Sequence, residues 1–284
     1  EYVRFSRGVE YREFLNKEVI NNIRSDWTYE EIFSAKTFKV SEIKVNKLNE
    51  DAEILFLGDS HMEQYAERVS LLANKYDKSI AFATAGGCLA MPGVIPGNDK
   101  KYDACKKLIQ SIESLIEEPT VKKVVLGQVW GAYSNGLYRN DFKYEDANGN
   151  LKNLEDEKDF IYVLKKYIDY LGLIAKDKEI YVILDVPWDT GSYDILTRLN
   201  RLNNLHLNEP YLVEFPEDNY WIKGNSVVEG AFNSLAKIIN PVPEFCPKNK
   251  CNLLNYRDDD HLRSSYVRDN ATWIDQIFEE RVAR

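Results

Sequence analysis

The chain has 284 residues, with 46 acidic against 37 basic side chains, a formal net charge of −9, 44% hydrophobic residues and 29% charged residues. That is the composition of a folded globular domain long enough for one large α/β unit. It disfavours nucleic acid or an anionic membrane surface as partner, because both attract basic patches. There is no run of 18 apolar residues, so no segment is predicted to span a bilayer, and a chain without a signal peptide or initial Met is expected to be a mature or excised fragment.

Residues 1–50 are polar and mixed, without a strand signal. A short capped helix is predicted over 26–33, and the segment is expected to be an extension packed on a main domain of residues 51–284. In that domain Ile54-Leu55-Phe56-Leu57 is a short apolar run closed by Gly58, the pattern of a buried parallel strand. A helix over 61–76 and a strand at 80–83 follow. The helix over 104–117 places Leu108, Ile112 and Leu115 on one face, and Val124-Val125-Leu126 reads as a third strand. Residues 141–156, with Asn148-Gly149-Asn150, read as an exposed loop. An amphipathic helix over 160–175 leads to the clearest strand, 180–184. Helices are predicted near 194–205 and 227–239, and a terminal one from about Ser264 carries Val267, Ala271, Ile274 and Phe278 at helical spacing. Strands alternating with helices imply a parallel sheet covered on both faces, with chemistry just beyond Leu57, Ala83, Leu126 and Leu184.

The four cysteines, Cys88, Cys105, Cys246 and Cys251, fall into two local pairs in loop-like contexts. Of the three possible pairings, 88–105 with 246–251 is the simplest. It implies an oxidising compartment, against the alternatives of four free thiols or a zinc site.

Only three histidines can serve as a base near neutral pH: His61, His206 and His261. His206 lies in a polar helix end without an acid or nucleophile nearby and reads as a surface residue. Ser60, in Gly58-Asp59-Ser60-His61, falls on the turn from the first strand into a helix. There its hydroxyl would stand at the carboxyl edge of the sheet and its N–H at a helix N-terminus, or it would serve simply as the helix N-cap. His261 ends Asp258-Asp259-Asp260-His261, where an Asp three residues back can accept from the imidazole; the alternative is a solvated acidic turn.

Together, Gly58-Asp59-Ser60 after the first strand and Asp258-x-x-His261 near the end resemble the SGNH (GDSL-like) hydrolase superfamily, whose fold is flavodoxin-like, three-layer α/β/α. The elbow of α/β-hydrolases, G-x-S-x-G, does not fit, since Met62 stands at the fifth position. With Ala85-Gly86-Gly87-Cys88, Pro92, Cys105, Trp130 and Asp260-His261-Leu262 added, residues 50–280 resemble the SGNH domains fused behind type 3 membrane acyltransferases in bacterial surface-polysaccharide O-acetyltransferases. Asp259 stands where that group usually has Gly.

The resemblance implies a catalytic triad of Ser60, Asp258 and His261, without metal or cofactor. Asp258 is preferred over Asp259 and Asp260 because an adjacent side chain tends to point away. It implies an oxyanion hole from the N–H groups of Ser60 and Gly87, with Gly86 the second choice. The Asn of the third block is missing, as Gly127-Gln128-Val129-Trp130 stands there. Either Gln128 or the Trp130 indole donates instead, or the hole has two donors, and Trp130 is expected to wall the acceptor site. Trp188 is a candidate for stacking on a sugar. The partners implied are a fused or associated membrane acyltransferase module as acetyl donor, with residues 1–50 as linker, and a polysaccharide acceptor such as lipopolysaccharide O-antigen. The location implied is periplasmic or extracytoplasmic. A stand-alone carbohydrate acetylesterase, with water as acceptor, would use the same residues.

Overall fold

The structure, a computed structural model, describes residues 17–33, 37–40, 43–48, 52–138, 141–188, 195–196, 198–199, 210–215 and 219–279. Two helices, α1 (Lys17–Arg24) and α2 (Tyr29–Phe33), precede a hairpin of β1 (Thr37–Val40) and β2 (Ile43–Leu48). Then come β3 (Ile54–Gly58), α3 (Ser60–Glu63), α4 (Ala66–Lys75), β4 (Ile80–Thr84), β5 (Val94–Pro96), α5 (Asp103–Glu117) and β6 (Lys123–Gly127). Next are α6 (Trp130–Ser134), β7 (Phe142–Glu145), β8 (Leu151–Asn153), α7 (Glu157–Ile174), β9 (Glu179–Ile183) and β10 (Leu212–Glu214). The described chain ends with α8 (Tyr220–Phe232), β11 (Lys237–Ile239), α9 (Val242–Phe245), β12 (Lys250–Asn252), α10 (Ser264–Asn270) and a 3₁₀ turn, Thr272–Ile277.

The main sheet runs β1-β2-β4-β3-β6-β9-β11. Its last five strands are parallel, and β2 joins β4 antiparallel. In chain order those five read 2-1-3-4-5, the flavodoxin-like winding, with β3 as the central strand next to the reversal of order. The expected α/β/α fold is therefore present. β3 can sit there because every one of its residues is buried apolar or glycine, the composition of a strand covered on both faces. Phe56 and Phe82 stack across β3 and β4 with ring centroids 4.7 Å apart. The four terminal-segment residues picked out by their spacing, Val267, Ala271, Ile274 and Phe278, are all buried, although the helix gives way to a 3₁₀ turn after Asn270.

Four expectations change. Residues 37–48 pair as a hairpin and extend the sheet, where no strand was expected. Residues 142–153 form a second hairpin, β7–β8, joined by β5; Phe142 and Tyr144 are buried while Lys143 and Glu145 are exposed, so the segment reads polar but packs one face. Residues 237–239 are the fifth parallel strand and not the end of a helix. Cys105 lies in α5 and not in a loop. The predicted helix over 194–205 and His206 lie largely outside the described residues. Among the described residues, no helix is long and apolar enough to cross a membrane.

Candidate functional site at the carboxyl edge of the central strand

β3 ends at Gly58, paired on one side with Thr84 and on the other with Gly127. The approach to Gly127 is so close that a Cβ on Gly58 would fall 1.7 Å from its carbonyl oxygen, so only glycine fits. The chain then turns into α3. The N-cap is Asp59, whose Oδ1 accepts from the His61 N–H at 2.9 Å. The cap role is thus filled one residue before Ser60, which leaves the Ser60 hydroxyl for other use. Asp59 is fully buried and also accepts from Val129 N–H (3.1 Å) and Tyr133 O–H (2.9 Å). Burial pushes its carboxyl above the ordinary range, opposed by the His61 charge and these hydrogen bonds.

His261 arrives from the far end of the chain. Tyr256 and Leu262 form a β-bridge at the base of a tight loop that displays residues 257–261. The loop is tied down at several points. Leu262 N–H donates to the buried Gln64 Oε1 at 2.9 Å, directly behind α3. Tyr256 O–H donates to the Pro187 carbonyl at 2.8 Å. From the N-terminal segment, Asp26 accepts from Arg263 Nε at 2.8 Å and from Ser265 N–H at 2.9 Å. Trp27 sets its ring edge-on to His261 at 5.5 Å, and the Arg257 guanidinium lies over Trp27 at 4.7 Å.

The result brings three of the expected residues together. His261 Nε2 lies 2.8 Å from Ser60 Oγ, and His261 Nδ1 lies 3.1 and 3.2 Å from the two carboxylate oxygens of Asp258. Asp258 Oδ1 also accepts from the His261 backbone N–H at 2.7 Å, which holds the turn. Burial disfavours the imidazolium, but the bonds to Asp258 and Asp260 outweigh it and push the His261 pKa up to about 10. A hydroxyl against one imidazole nitrogen, with carboxylate at the other, is the arrangement in which the imidazole can take the hydroxyl proton and the resulting cation is stabilised.

Asp260 does not point away, as its neighbouring position suggested. Its Oδ1 comes within 2.9 Å of His261 Nδ1 and its Oδ2 within 3.8 Å of His61 Nε2. Among the described residues, His61, Asp260 and His261 are the one group with ligating atoms within 4.8 Å of one another. Two imidazoles on either side of one carboxylate produce that spacing, and we assign them no metal.

Gly87 has φ +63° in a turn after β4, where a left-handed backbone favours glycine; Gly86 is exposed. Of the third-block residues, Trp130 is placed differently from expectation. Gln128 is buried, with Oε1 accepting from Ala90 N–H at 3.0 Å. Trp130 is only 1% exposed and its indole N–H donates to the Ile183 carbonyl at 2.9 Å, so it is a core residue: it neither walls an open site nor has its indole N–H free for an oxyanion. Trp188 is buried as well, its indole turned to Asp185 at 3.3 Å, and does not stand at a site mouth. Asp185 itself accepts from the backbone N–H groups of Trp130 and Gly131, and burial raises its pKa to about 7. Both cysteine pairs are joined as expected, Cys88–Cys105 and Cys246–Cys251. Gln64, Asp26 and Trp27 were not singled out from sequence as parts of the site. Their contacts span 198 to 239 residues for the hydrogen bonds, and no local spacing announces them.

Comparison with known proteins bears on the fold and the family. A search of curated protein sequences gives no significant match. Among solved structures, the lipopolysaccharide acetyltransferase periplasmic domain of Salmonella ser. Paratyphi A superposes with a TM-score of 0.62 at 16% identity, over 94% of this chain and 100% of that one. At that identity the likeness speaks for the fold. The family model for the SGNH domain (fused to AT3 domains) matches residues 33–269, and the chain belongs to that family.

Proposed function

We propose that this domain is an O-acetyltransferase that passes an acetyl group through Ser60 to a sugar hydroxyl of a bacterial surface polysaccharide, such as lipopolysaccharide O-antigen. The observation that carries the reading is the 2.8 Å contact of Ser60 Oγ with His261 Nε2, with Asp258 on Nδ1, at the carboxyl edge of the central strand. In the first half-reaction Ser60 Oγ attacks the carbonyl of an acetyl ester while His261 takes its proton. The N–H groups of Ser60 and Gly87 receive the oxyanion of the tetrahedral intermediate. The leaving alcohol departs with the proton from His261, leaving acetyl-Ser60. In the second half, a sugar hydroxyl gives its proton to His261 and attacks acetyl-Ser60, so that the acetyl group moves to the sugar and Ser60 regains its proton.

Fusion to AT3 domains in the family favours transfer over simple hydrolysis. The donor is then the membrane acyltransferase module, and the domain works on the periplasmic side. The two disulfides suit an oxidising compartment. No Walker-type or Rossmann-type glycine loop is present to hold the pyrophosphate of acetyl-CoA.

The isolated domain should therefore hydrolyse a small activated acetyl ester weakly, water replacing the sugar. It should not acetylate an acceptor glycan from acetyl-CoA. Ser60→Ala should lower ester turnover by more than about a hundredfold with the fold intact by circular dichroism. Residual activity above that level would remove Ser60 as the acyl carrier. Efficient Ser60-dependent transfer from acetyl-CoA without the membrane module would overturn the donor assignment.

A further inference from the structure

A histidine and a carboxylate beside the proposed triad take no part in the acyl transfer as drawn. His61 follows Ser60 directly and is only 5% exposed. Its Nδ1 has no hydrogen-bond partner, while its Nε2 faces Asp260 Oδ2 at 3.8 Å, a charge contact rather than a hydrogen bond. With one nitrogen orphaned and the other facing a carboxylate, the proton belongs on Nε2 in either ionisation state. The His61 and His261 rings lie 4.9 Å apart between centroids, and the other oxygen of Asp260 reaches His261 Nδ1 at 2.9 Å. One carboxylate thus bridges two imidazoles, one buried beneath it and one carrying the contact to Ser60.

We propose that Asp260 and His61 are positioning residues for the base. Asp260 is a second carboxylate on Nδ1 of His261, and His61 holds it from the buried side, so the two together set the base strength of His261. The proposal rests on His261 being the base of the acyl transfer.

The groups facing this cluster can be named from each element around it. On the loop, Asp258 shares His261 Nδ1, and Arg257 Nε lies 3.5 Å from Asp258 Oδ2. Beneath His61 are the buried carboxyls Asp59 and Asp185, both of which feel its charge. Tyr138, after α6, feels the charges of Asp59 and Asp260. From the N-terminal segment comes the Trp27 ring. Burial works against a charged Asp260, but its contacts with His261 and His61 hold its carboxyl far below the ordinary range. Removing Asp260's charge therefore weakens the imidazolium of His261. Removing the Nε2 proton of His61 leaves Asp260 entirely to His261 and strengthens it. The two changes have opposite signs, which a general loosening of the loop would not produce.

The chain has only three histidines, so their imidazole resonances can be followed by NMR as pH is raised, independently of activity. Asp260→Asn should lower the His261 titration midpoint by about one unit or more. The acidic limb of kcat/KM on an activated acetyl ester should move down with it, because the base must be unprotonated to act. His61→Leu should move both up, by about half a unit. His61→Gln, which keeps an N–H in place, should move them less, and it stands in for the Leu variant if that does not fold. In the Asp260→Asn background neither His61 change should shift His261.

The proposal falls if Asp260→Asn leaves the His261 midpoint in place. It also falls if the His61 and Asp260 variants shift it in the same direction, or if the His61 effect survives without Asp260. Shifts as expected in a protein with no Ser60-dependent ester turnover would uphold the electrostatic coupling and remove the acyl-transfer reading instead.

Discussion

The two halves of the site are built by different means. Ser60 is placed by the backbone: a buried parallel strand between two others, a glycine that admits its neighbour, and an aspartate cap. His261 is placed by side chains: Gln64 and Asp26 hold the loop segment by hydrogen bonds from outside it, and Tyr256 at its base anchors it to the Pro187 carbonyl. In the first half, position and stability are one property. In the second they are separable, because the loop can be released without opening the sheet. Damage to the strand and turn that carry Ser60 should therefore appear as unfolding, and damage to the loop that carries His261 as lost activity in a folded protein.

The sharpest test of that contrast is Asp258→Asn. The amide oxygen can still accept from the His261 N–H and keep the turn, but the carboxylate on Nδ1 is gone. Ester turnover should fall by about 10³-fold with little change in melting temperature, while Asp259→Asn should leave the rate close to wild type. The reverse ranking would reassign the acid. Gly58→Ala should do the opposite. Its Cβ meets the Gly127 carbonyl, so the sheet must shift, and a stability loss of about 3 kcal/mol or failure to fold is expected in chemical denaturation. Wild-type stability in the Gly58→Ala protein would show that the backbone does not fix this half.

The disulfides divide along the same line. Replacing Cys246 and Cys251 by Ser should cost about 2 kcal/mol for so short a loop, and should also reduce turnover, since that bridge braces the segment leading to Asp258 and His261. Opening Cys88–Cys105 should cost somewhat more stability, about 3 kcal/mol. The smallest effect is expected at the clamp. Asp26→Ala removes the acceptor for Arg263 and Ser265, which should cost about 1–2 kcal/mol. It should lower kcat on the ester more than it raises KM. Unchanged kinetics would mean that the N-terminal segment only covers the loop.

The same division governed what was legible beforehand. β3, β4, β6 and β9 are apolar runs, and their neighbours in space follow from the winding of such sheets, so the first half could be read locally. β11 is only Lys237-Ile238-Ile239, too short to stand out from the helical pattern before it. The β7–β8 hairpin hid because one of its faces is polar. Ser60, Asp258 and His261 were visible as residue types at known spacing. Asp260 was misjudged on chain adjacency: Asp258 lies three residues from His261 and Asp260 one, and the loop carries both onto the same nitrogen. The burial of Trp130 could not be read from Gly127-Gln128-Val129-Trp130, because the partner that takes its indole N–H lies 53 residues on, at the end of the next parallel strand.

The contact between Ser60 and His261 joins residues 201 positions apart, and the clamp from Asp26 to Arg263 joins residues 237 apart. Closing so long a stretch of chain carries a large entropic cost before any contact rewards it. A chain made from its N-terminus can form the winding through β9 while the loop that completes the site is still unmade. Ser60 therefore gains its imidazole only near the end of folding. Until then an incomplete chain holds the serine without its imidazole, and on the proposed reading acyl transfer cannot begin until the whole domain has closed.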